Sequence, residues 1–348
     1  MKRNILLSLI GMITLFAGCK SYEDSFNRNL DSTGLYVTNS GSNTVSMFGA
    51  DPKSGILNDL GTVAAGTTPV YIALNSAGTF AYVVNSGSND VYVYSIDKKS
   101  RKLTLASTAT AGTTPRMIAF HKSGSYAYVV NQGSTDISKF FVDATTGALS
   151  SLGATTAAGG TPIALATFLD YAVVAVGNAA QLRLFDITAS TGAIAANAVP
   201  AAALAAIPAG ITILATGASQ AMLYAPTAAN QIEYFGTASW GATPTTVQVA
   251  AGTTPAFLAV NSTGSLALVS NFASTNVSTY SISSGNLTAT GTTTACTNPA
   301  QILINSANFA YLVCRGENKI SAYNVASGSL TAVGSYATGT TPTSVAGY

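Results

Sequence analysis

Apolar and polar residues alternate with a period of two along most of this chain, in short runs separated by turns rich in Gly, Ser, Thr and Asn. Such alternation predicts β-strands, because successive side chains of a strand point to opposite faces. The stretch 69–105 contains four runs, at 69–74, 80–84, 91–96 and 103–105. Gly, Ser and Asn supply the backbone angles of the intervening turns. We therefore expect a meander of four antiparallel strands.

This four-stranded unit is written seven times. Its second strand recurs every 43 to 50 residues, at Tyr36, Tyr82, Tyr128, Val173, Leu223, Leu268 and Tyr311. Prolines recur every 43 to 47 residues, at Pro69, Pro115, Pro162, Pro208, Pro255, Pro299 and Pro342. Proline fixes φ and lacks an N–H donor, so each of these is expected to begin a strand. The repeats predict an all-β fold, a seven-bladed β-propeller of four-stranded antiparallel blades.

The two ends of the repeat region are complementary. The first unit lacks a proline strand, and the last proline strand, residues 342–348, has nothing after it. We expect this C-terminal strand to be the innermost strand of a blade formed by residues 34–63, which closes the ring non-covalently. An open array would need polar capping repeats, and none is visible. Residues 34–348 are thus predicted to be a single, monomeric propeller domain.

The second strands carry a recognisable motif. It reads Tyr36-Val37-Thr38-Asn39 in the first unit, and nearly the same at 82–85 and 128–131. In this the chain resembles the Tyr-Val-Thr-Asn repeat propellers, which overlap the lactonase-type seven-bladed family, over roughly residues 34–348. The resemblance implies the propeller fold and, as an activity, opening of a sugar or acyl lactone by a 6-phosphogluconolactonase-like hydrolase. The motif describes strand packing, so it indicates the fold more directly than the chemistry.

The first residues have the pattern of an export signal. Lys2-Arg3 precedes an apolar run over residues 5–16, which is too short to span a bilayer but suits a signal peptide, here 1–18. The run ends in Leu15-Phe16-Ala17-Gly18-Cys19, which resembles a bacterial lipoprotein box. In that family Cys19 is the lipid attachment site. The alternative is an ordinary secreted protein with an incidental cysteine.

Residues 19–33 are polar and lack strand periodicity, as expected of a flexible tether near the lipid. Acyl chains on Cys19 would hold the protein at a membrane without a spanning helix. No Asp follows Cys19, which by analogy with some bacteria favours the outer membrane. The expected location is the bacterial cell envelope, with the periplasmic and the surface face both open.

Composition argues against several classes of partner and site. The formal net charge is +2, and Lys2 and Arg3 belong to the leader, so the remaining chain is close to neutral. A chain without a basic face is not expected to bind nucleic acid. The sequence has no Cys-x-x-Cys pair, no His pair, no P-loop and no serine nucleophile elbow. We expect no metal and no cofactor.

Two cysteines remain besides Cys19. Cys296 precedes the Pro299 strand, and Cys314 ends the strand that follows it. Hairpin geometry brings these two ends to the same rim, so a disulfide is plausible in an oxidising compartment. The alternative is two small buried apolar side chains.

Residues suited to catalysis are scarce. Opening a lactone needs an activated water and groups that stabilise the oxyanion. Between Ile187 and Cys314 the only charged side chain is Glu233, and the chain has one histidine, His121. His121 lies in a turn at the rim opposite the proline loops, where we expect a solvated or turn-packing side chain.

Weak candidates lie on loops at the mouth of the predicted channel. Arg116 is the only charged residue that directly follows a repeat proline, and Arg315 and Glu317 follow a second strand, as Asp90 and Asp136 do in other units. Arg116 could bind an anion, and Arg315 with Glu317 could form a second polar cluster. The alternative for each is an exposed ion pair or a turn side chain.

Two functions are therefore compatible with the sequence. The favoured one is a membrane-tethered binding or scaffold module, whose loops present Ser, Thr, Asn and Ala to a protein or glycan partner. The alternative, from the family resemblance, is a lactonase-like hydrolase. An acid or base at the channel mouth would favour the hydrolase.

Overall fold

The computed structural model describes residues 33–216, 220–236, 247–326 and 328–347, which form seven β-sheets arranged as the blades of a propeller. The predicted signal peptide 1–18, Cys19 and the tether up to residue 32 lie outside the described residues, as does Tyr348. Among the described residues, no helix is long and apolar enough to cross a membrane. The prediction of an all-β, seven-bladed propeller is confirmed.

Blade 1 joins strands from the two ends of the chain. From the outer edge inward its order is β3, β2, β1 and β30. The strands are β1 (Thr33–Asn39), β2 (Thr44–Ala50), β3 (Leu57–Ala64) and β30 (Pro342–Gly347).

Blades 2 to 7 are built from consecutive strands. Blade 2 consists of β4 (Pro69–Leu74), β5 (Phe80–Asn85), β6 (Asp90–Ile96) and β7 (Leu103–Thr110). Blade 3 consists of β8 (Pro115–Phe120), β9 (Tyr126–Asn131), β10 (Asp136–Val142) and an outer strand in two pieces, β11 (Leu149–Ser151) and β12 (Thr156–Ala157). Blade 4 consists of β13 (Pro162–Phe168), β14 (Tyr171–Val176), β15 (Gln181–Thr188), β16 (Ala193–Ala196) and β17 (Ala202–Ala203).

The remaining three blades complete the ring. Blade 5 consists of β18 (Thr212–Ala215), β19 (Ala221–Thr227), β20 (Gln231–Gly236) and β21 (Val247–Ala250). Blade 6 consists of β22 (Pro255–Val260), β23 (Leu266–Asn271), β24 (Asn276–Ser283) and β25 (Asn286–Thr294). Blade 7 consists of β26 (Pro299–Ile304), β27 (Phe309–Cys314), β28 (Lys319–Ala326) and β29 (Ser329–Ala337), with a short 3-10 turn at Arg315–Glu317.

The repeat prolines begin the innermost strands, with one exception. Six of the seven are the first residue of their strand. In blade 5 the strand begins only at Thr212, and Pro208 forms an isolated bridge to Thr227. The expectation that every repeat proline starts a strand is therefore wrong for Pro208.

Ring closure by the C-terminal strand is confirmed. β30 pairs antiparallel with β1 from Leu35 opposite Gly347 to Asn39 opposite Pro342. Ser344 Oγ also accepts a hydrogen bond from Ile72 N of blade 2 (3.2 Å) and donates one to Gln301 Oε1 of blade 7. The last strand is thus hydrogen-bonded to the blades on both sides of its own.

The hydrophobic core lies between the faces of neighbouring blades. The second strand of a blade is covered on both faces, and every residue of β5 is buried. The outermost strand β7 is mostly exposed or half-buried beyond its first residue. This explains why the second strands are continuous apolar runs, whereas the outer strands are rich in Thr and Ser.

The motif tyrosine links one blade to the next. The hydroxyl groups of Tyr36, Tyr82 and Tyr128 donate to backbone carbonyl oxygens in the following blade, those of Arg101, Gly147 and Gly192, at 2.9 to 3.0 Å. In blade 5 the same contact is made by Tyr224, one residue after the predicted position Leu223, and it reaches Gly285 O at 2.8 Å. Burial raises the pKa of Tyr224 to about 12. The tyrosine is therefore a structural element that spans the interface between blades.

We expect removal of residues 342–348 to lower the free energy of unfolding by at least about 3 kcal/mol, because it exposes the edge of β1 and deletes the buried Val345. Thermal unfolding of the full and shortened proteins measures the change. Adding a synthetic peptide of residues 341–348 to the shortened protein should restore part of the loss. An unchanged melting temperature would contradict closure.

Tyr82 and Tyr311 occupy equivalent positions, so substituting each of them tests the hydrogen bond between blades. Tyr82→Phe should cost about 1 kcal/mol, because Gly147 O loses its buried donor. The buried hydroxyl of Tyr311 has no hydrogen-bond partner within the described residues, so Tyr311→Phe should be neutral or slightly stabilising. Denaturant unfolding of both variants tests this. Equal losses in the two would refute the structural role of the Tyr82 hydrogen bond.

Candidate functional site

The innermost strands enclose a cavity of about 550 Å³ on the axis of the ring, at the end where the proline loops lie. All seven residues that follow the repeat prolines line it: Val70, Arg116, Ile163, Ala209, Ala256, Ala300 and Thr343. The next residue of each blade lines it as well: Tyr71, Met117, Ala164, Gly210, Phe257, Gln301 and Ser344. Each blade thus contributes two consecutive residues.

A β-bulge explains why two consecutive residues can face the axis. In a regular strand they would point to opposite faces. The pairing of the innermost strand with its neighbour shifts register directly after the proline, between Pro69 and Tyr71 in blade 2 and between Pro115 and Met117 in blade 3. The extra residue of a bulge redirects the strand, as is common beside binding sites.

Among the described residues, two charged side chains line this cavity, Arg116 and Arg315. Arg116 follows the proline of blade 3, and Arg315 follows the second strand of blade 7. Blades 3 and 7 are separated by blades 1 and 2 on one side and by blades 4, 5 and 6 on the other, so the arginines stand on opposite sides of the axis. The structure therefore brings these two sequence candidates to one cavity.

The two guanidinium groups lack counter-charges in the described part of the chain. Arg116 Nη1 donates to Gln132 Oε1 at 3.1 Å, a neutral partner. The ion pairs found among the described residues involve neither arginine. Desolvation by the cavity walls lowers the pKa of Arg116, but an arginine keeps its charge in proteins. The cavity therefore presents positive charge without an acidic partner.

The lining combines these cations with apolar and small residues. Phe257 and Phe272 of blade 6 and Tyr71 of blade 2 provide aromatic surface, while alanines and a glycine leave space. Burial raises the pKa of Tyr71 to about 12, so its hydroxyl stays protonated at neutral pH. No Asp, Glu or His is among the residues that line the cavity within the described structure.

Glu317, the third candidate, does not line the cavity. Its carboxylate pairs with Lys319 and accepts a hydrogen bond from Thr297 N at 2.7 Å. The hydrogen bond from Lys319, together with that from Thr297, lowers the pKa of the Glu317 carboxyl. Glu317 therefore stabilises the loop that contains Thr297.

Asp90 and Asp136 have similar capping roles. Asp90 Oδ1 accepts from Asn85 Nδ2 at 2.8 Å and from Ser88 Oγ at 2.9 Å. Asp136 Oδ1 accepts from Asn131 Nδ2 at 2.7 Å. Both carboxylates stabilise the turn between the second and third strands of their blade.

His121 is buried, with 2% of its surface exposed, so the expectation of a solvated side chain is wrong and that of a turn-packing one is right. Its Nδ1 lies 2.9 Å from Ser123 Oγ, and its Nε2 lies 3.0 Å from Asp170 Oδ1. Lys122 Nζ donates to the other Asp170 oxygen at 3.0 Å. The hydrogen bond from Lys122, followed by that from His121, lowers the pKa of Asp170. Sequence reasoning missed Asp170, which is 49 residues from His121.

Glu233, the only charged residue in the sequence between Ile187 and Cys314, is fully buried in blade 5. Its two carboxylate oxygens accept from Ala205 N at 2.9 and 3.0 Å. This contact fastens the loop before Pro208 to the third strand of the blade. Glu233 does not line the cavity.

Cys296 and Cys314 form a disulfide in the structure, with their Cα atoms 5.7 Å apart. Both residues are buried. Because Arg315 follows Cys314 directly, the disulfide lies beside one of the two cationic positions. Within the described residues, no group of three or more His, Cys, Asp or Glu side chains could hold a metal ion.

Known proteins share this architecture. A family model described as Lactonase, 7-bladed beta-propeller, matches residues 31–166. No curated protein sequence matches the chain significantly. A candidate 6-phosphogluconolactonase from Bacteroides uniformis ATCC 8492 superposes with a TM-score of 0.80 at 18% identity, over 91% of this chain and 100% of that one.

Two further solved structures are similar. A candidate 6-phosphogluconolactonase from Bacteroides fragilis NCTC 9343 has a TM-score of 0.79 at 18% identity, over 91% of this chain and 98% of that one. The periplasmic gluconolactonase PpgL from Pseudomonas aeruginosa has a TM-score of 0.76 at 17% identity, over 90% and 98%. Identities this low establish the shared fold and no more. The resemblance to the lactonase-type propellers is therefore confirmed, in sequence over residues 31–166 and in fold over nearly the whole chain.

Proposed function

We propose that the protein is a lactonase-like propeller that binds a small anionic lactone, or the corresponding sugar acid, in the axial cavity. The observation that carries this proposal is the pair Arg116 and Arg315, which line one cavity without a carboxylate partner among the described residues. The fold shared with a gluconolactonase supports the class of ligand.

The cavity suits such a ligand physically. Guanidinium groups bind carboxylate and phosphate oxygens through paired, charge-assisted hydrogen bonds, which are stronger than those between neutral groups. The rings of Phe257 and Phe272 could cover the apolar face of a sugar, as aromatic surface does in many ligand pockets. The Ser344 hydroxyl and the Gln301 amide line the same space and form a hydrogen bond with each other.

Ring opening would use the arginines as electrophilic groups. Water adds to the lactone carbonyl carbon, and the carbonyl oxygen takes negative charge in the tetrahedral intermediate. A guanidinium beside that oxygen stabilises the charge. The ring C–O bond then breaks, and the departing oxygen takes the proton that the added water gives up, which leaves a hydroxy acid.

One observation favours a second function. The lining contains no carboxylate or imidazole in the described structure, so no side chain there is suited to deprotonate water at neutral pH. A protein that binds an anionic protein or glycan partner without turnover would not need such a group. Ligand binding through Arg116 and Arg315 is common to this function and to the hydrolase, and turnover separates them.

Arg116→Ala and Arg315→Ala should each weaken the binding of 6-phosphogluconate by about tenfold, because each removes a charge-assisted contact. Calorimetry on protein lacking residues 1–32 measures the affinity, and hydrolysis of glucono-1,5-lactone and its 6-phosphate measures turnover. A lactonase would lose turnover in both variants.

Arg183→Ala is the matched control, because Arg183 is also an arginine but lies in β15 of blade 4, outside the cavity lining. Binding and turnover should survive in this variant. Arginine-dependent binding without any turnover would select the binding module over the hydrolase. Affinity that is unaffected by both arginine substitutions would exclude the cavity as the site.

We also propose that a lipid on Cys19 tethers the ring to a bacterial membrane, most simply the outer membrane. The leader pattern and the lipoprotein-like box at 15–19 support this proposal. A disulfide in the ring suits an oxidising compartment outside the cytoplasm.

Growth of an expressing bacterium with labelled palmitate tests the tether. The wild-type chain should incorporate label and fractionate with membranes, whereas Cys19→Ser should do neither. Label that persists in the variant, or a wild-type protein without label, would contradict lipid attachment at Cys19.

A further inference from the structure

Blades 3 and 6 each fasten their proline loop to their own second strand by the same hydrogen bond. Gly112 N donates to Asn131 Oδ1, and Gly252 N donates to Asn271 Oδ1, each at 3.1 Å. We call this contact the clasp; it joins the residue three before the repeat proline to the last residue of the second strand. A Cβ on Gly112 would lie 2.5 Å from Asn131 Nδ2, so the asparagine leaves room only for glycine.

Blade 7 has a different clasp at the same two positions. Cys296 stands where blades 3 and 6 have glycine, Cys314 stands where they have asparagine, and the two are covalently joined. Both positions differ from those in blades 3 and 6, which fits the geometry, since a Cβ at the first position would clash with asparagine at the second. The hydrogen bond of blades 3 and 6 is thus replaced by a covalent bond in blade 7.

A second contact near the clasp also differs in blade 7. In blades 3 and 6 a serine side chain accepts the next loop N–H: Ser134 Oγ from Thr113 N at 3.1 Å, and Ser274 Oγ from Thr253 N at 3.0 Å. In blade 7 the carboxylate of Glu317 accepts from Thr297 N at 2.7 Å. A charged acceptor makes the stronger hydrogen bond. This loop is therefore held more firmly at two points.

The residue held between these two points is Arg315. The equivalent residues that line the cavity in other blades are uncharged: Ser40, Ser86, Gln132 and Phe272. Arg315 N donates to Asn298 O at 3.2 Å, but its guanidinium has no ion-pair partner among the described residues. A long side chain without a partner loses considerable rotamer entropy when it binds a ligand. The position of its backbone sets the region of the cavity that its guanidinium can reach.

We propose that the Cys296–Cys314 disulfide positions Arg315 for binding an anionic ligand across the cavity from Arg116. The two cysteines are positioning residues that act through Arg315. This inference rests on the proposed function, because it assumes that the cavity binds an anion.

The repeat itself supplies the matched variants. Cys296→Ser with Cys314→Ser removes the covalent clasp, whereas Cys296→Gly with Cys314→Asn installs the clasp of blades 3 and 6. The affinity for 6-phosphogluconate is measured by calorimetry in both variants, with and without Arg315→Ala. A thiol count of the denatured, unreduced protein that lacks residues 1–32 first verifies the disulfide, since it should find none.

We expect the serine pair to bind about tenfold more weakly than the wild type, the effect of one misplaced charge-assisted contact. The glycine–asparagine pair should stay within about threefold of the wild type, because a hydrogen-bonded clasp holds the same loop in blades 3 and 6. In the Arg315→Ala background neither pair should change the affinity further, since residues acting through one group are not additive.

Two results would overturn the inference: a serine pair that melts lower but binds as the wild type does, or a serine pair that loses the same affinity with and without Arg315.

Hydrogen exchange at residues 315–318 gives a readout that needs no ligand. If the wild type binds no anion, the proposed function fails; faster exchange in the serine pair then still supports the clasp as the constraint on this loop, and unchanged exchange rejects it.

Discussion

The pairing of β30 with β1 is the constraint on which the rest of the structure depends. A blade buries both faces of its second strand only when it has a neighbour on each side, so an open ring would leave apolar faces and a strand edge exposed. The closing strand forms hydrogen bonds with blades 2 and 7 through Ser344 and Gln301. Those two residues also line the axial cavity, as does Thr343. Closure and the candidate site are therefore inseparable.

The cavity results from a repeated local irregularity rather than from a special segment. In six of the seven blades a bulge at the repeat proline accompanies the two residues that line the cavity, so small differences at these positions determine what the cavity can bind. Most of the positions carry Ala, Gly, Ser, Thr or an apolar residue, and Arg116 is the only charged one. The lining of the seven-fold ring is therefore asymmetric. Its cations lie in blades 3 and 7, and its aromatic rings lie in blades 2 and 6.

Most of the remaining charged groups with defined contacts serve the architecture. Glu233 fastens a loop, Glu317 caps another, and His121 with Asp170 connects two turns at the opposite rim. In a chain where only 8% of residues are charged, each acid stands out as a candidate for chemistry. Hydrogen bonds to backbone N–H groups are the commoner use of such side chains at loops. Arg116 and Arg315, in contrast, line the cavity without an ion-pair partner among the described residues.

The sequence by itself determined the all-β class, the number of blades, the closing strand and the ring of residues after the prolines. These features follow from period-two alternation and from repeat spacing. Both patterns can be read directly from the order of residues along the chain. It could not decide between a disulfide and two buried thiols, predict the burial of His121, or find Asp170 as its partner, because those depend on distances between residues far apart in sequence. The bulges, and the position of Glu317 outside the cavity that Arg116 and Arg315 line, were decided by tertiary structure alone. Strand register and the packing of each blade against the next set the direction of every side chain, and neither can be read from one repeat at a time.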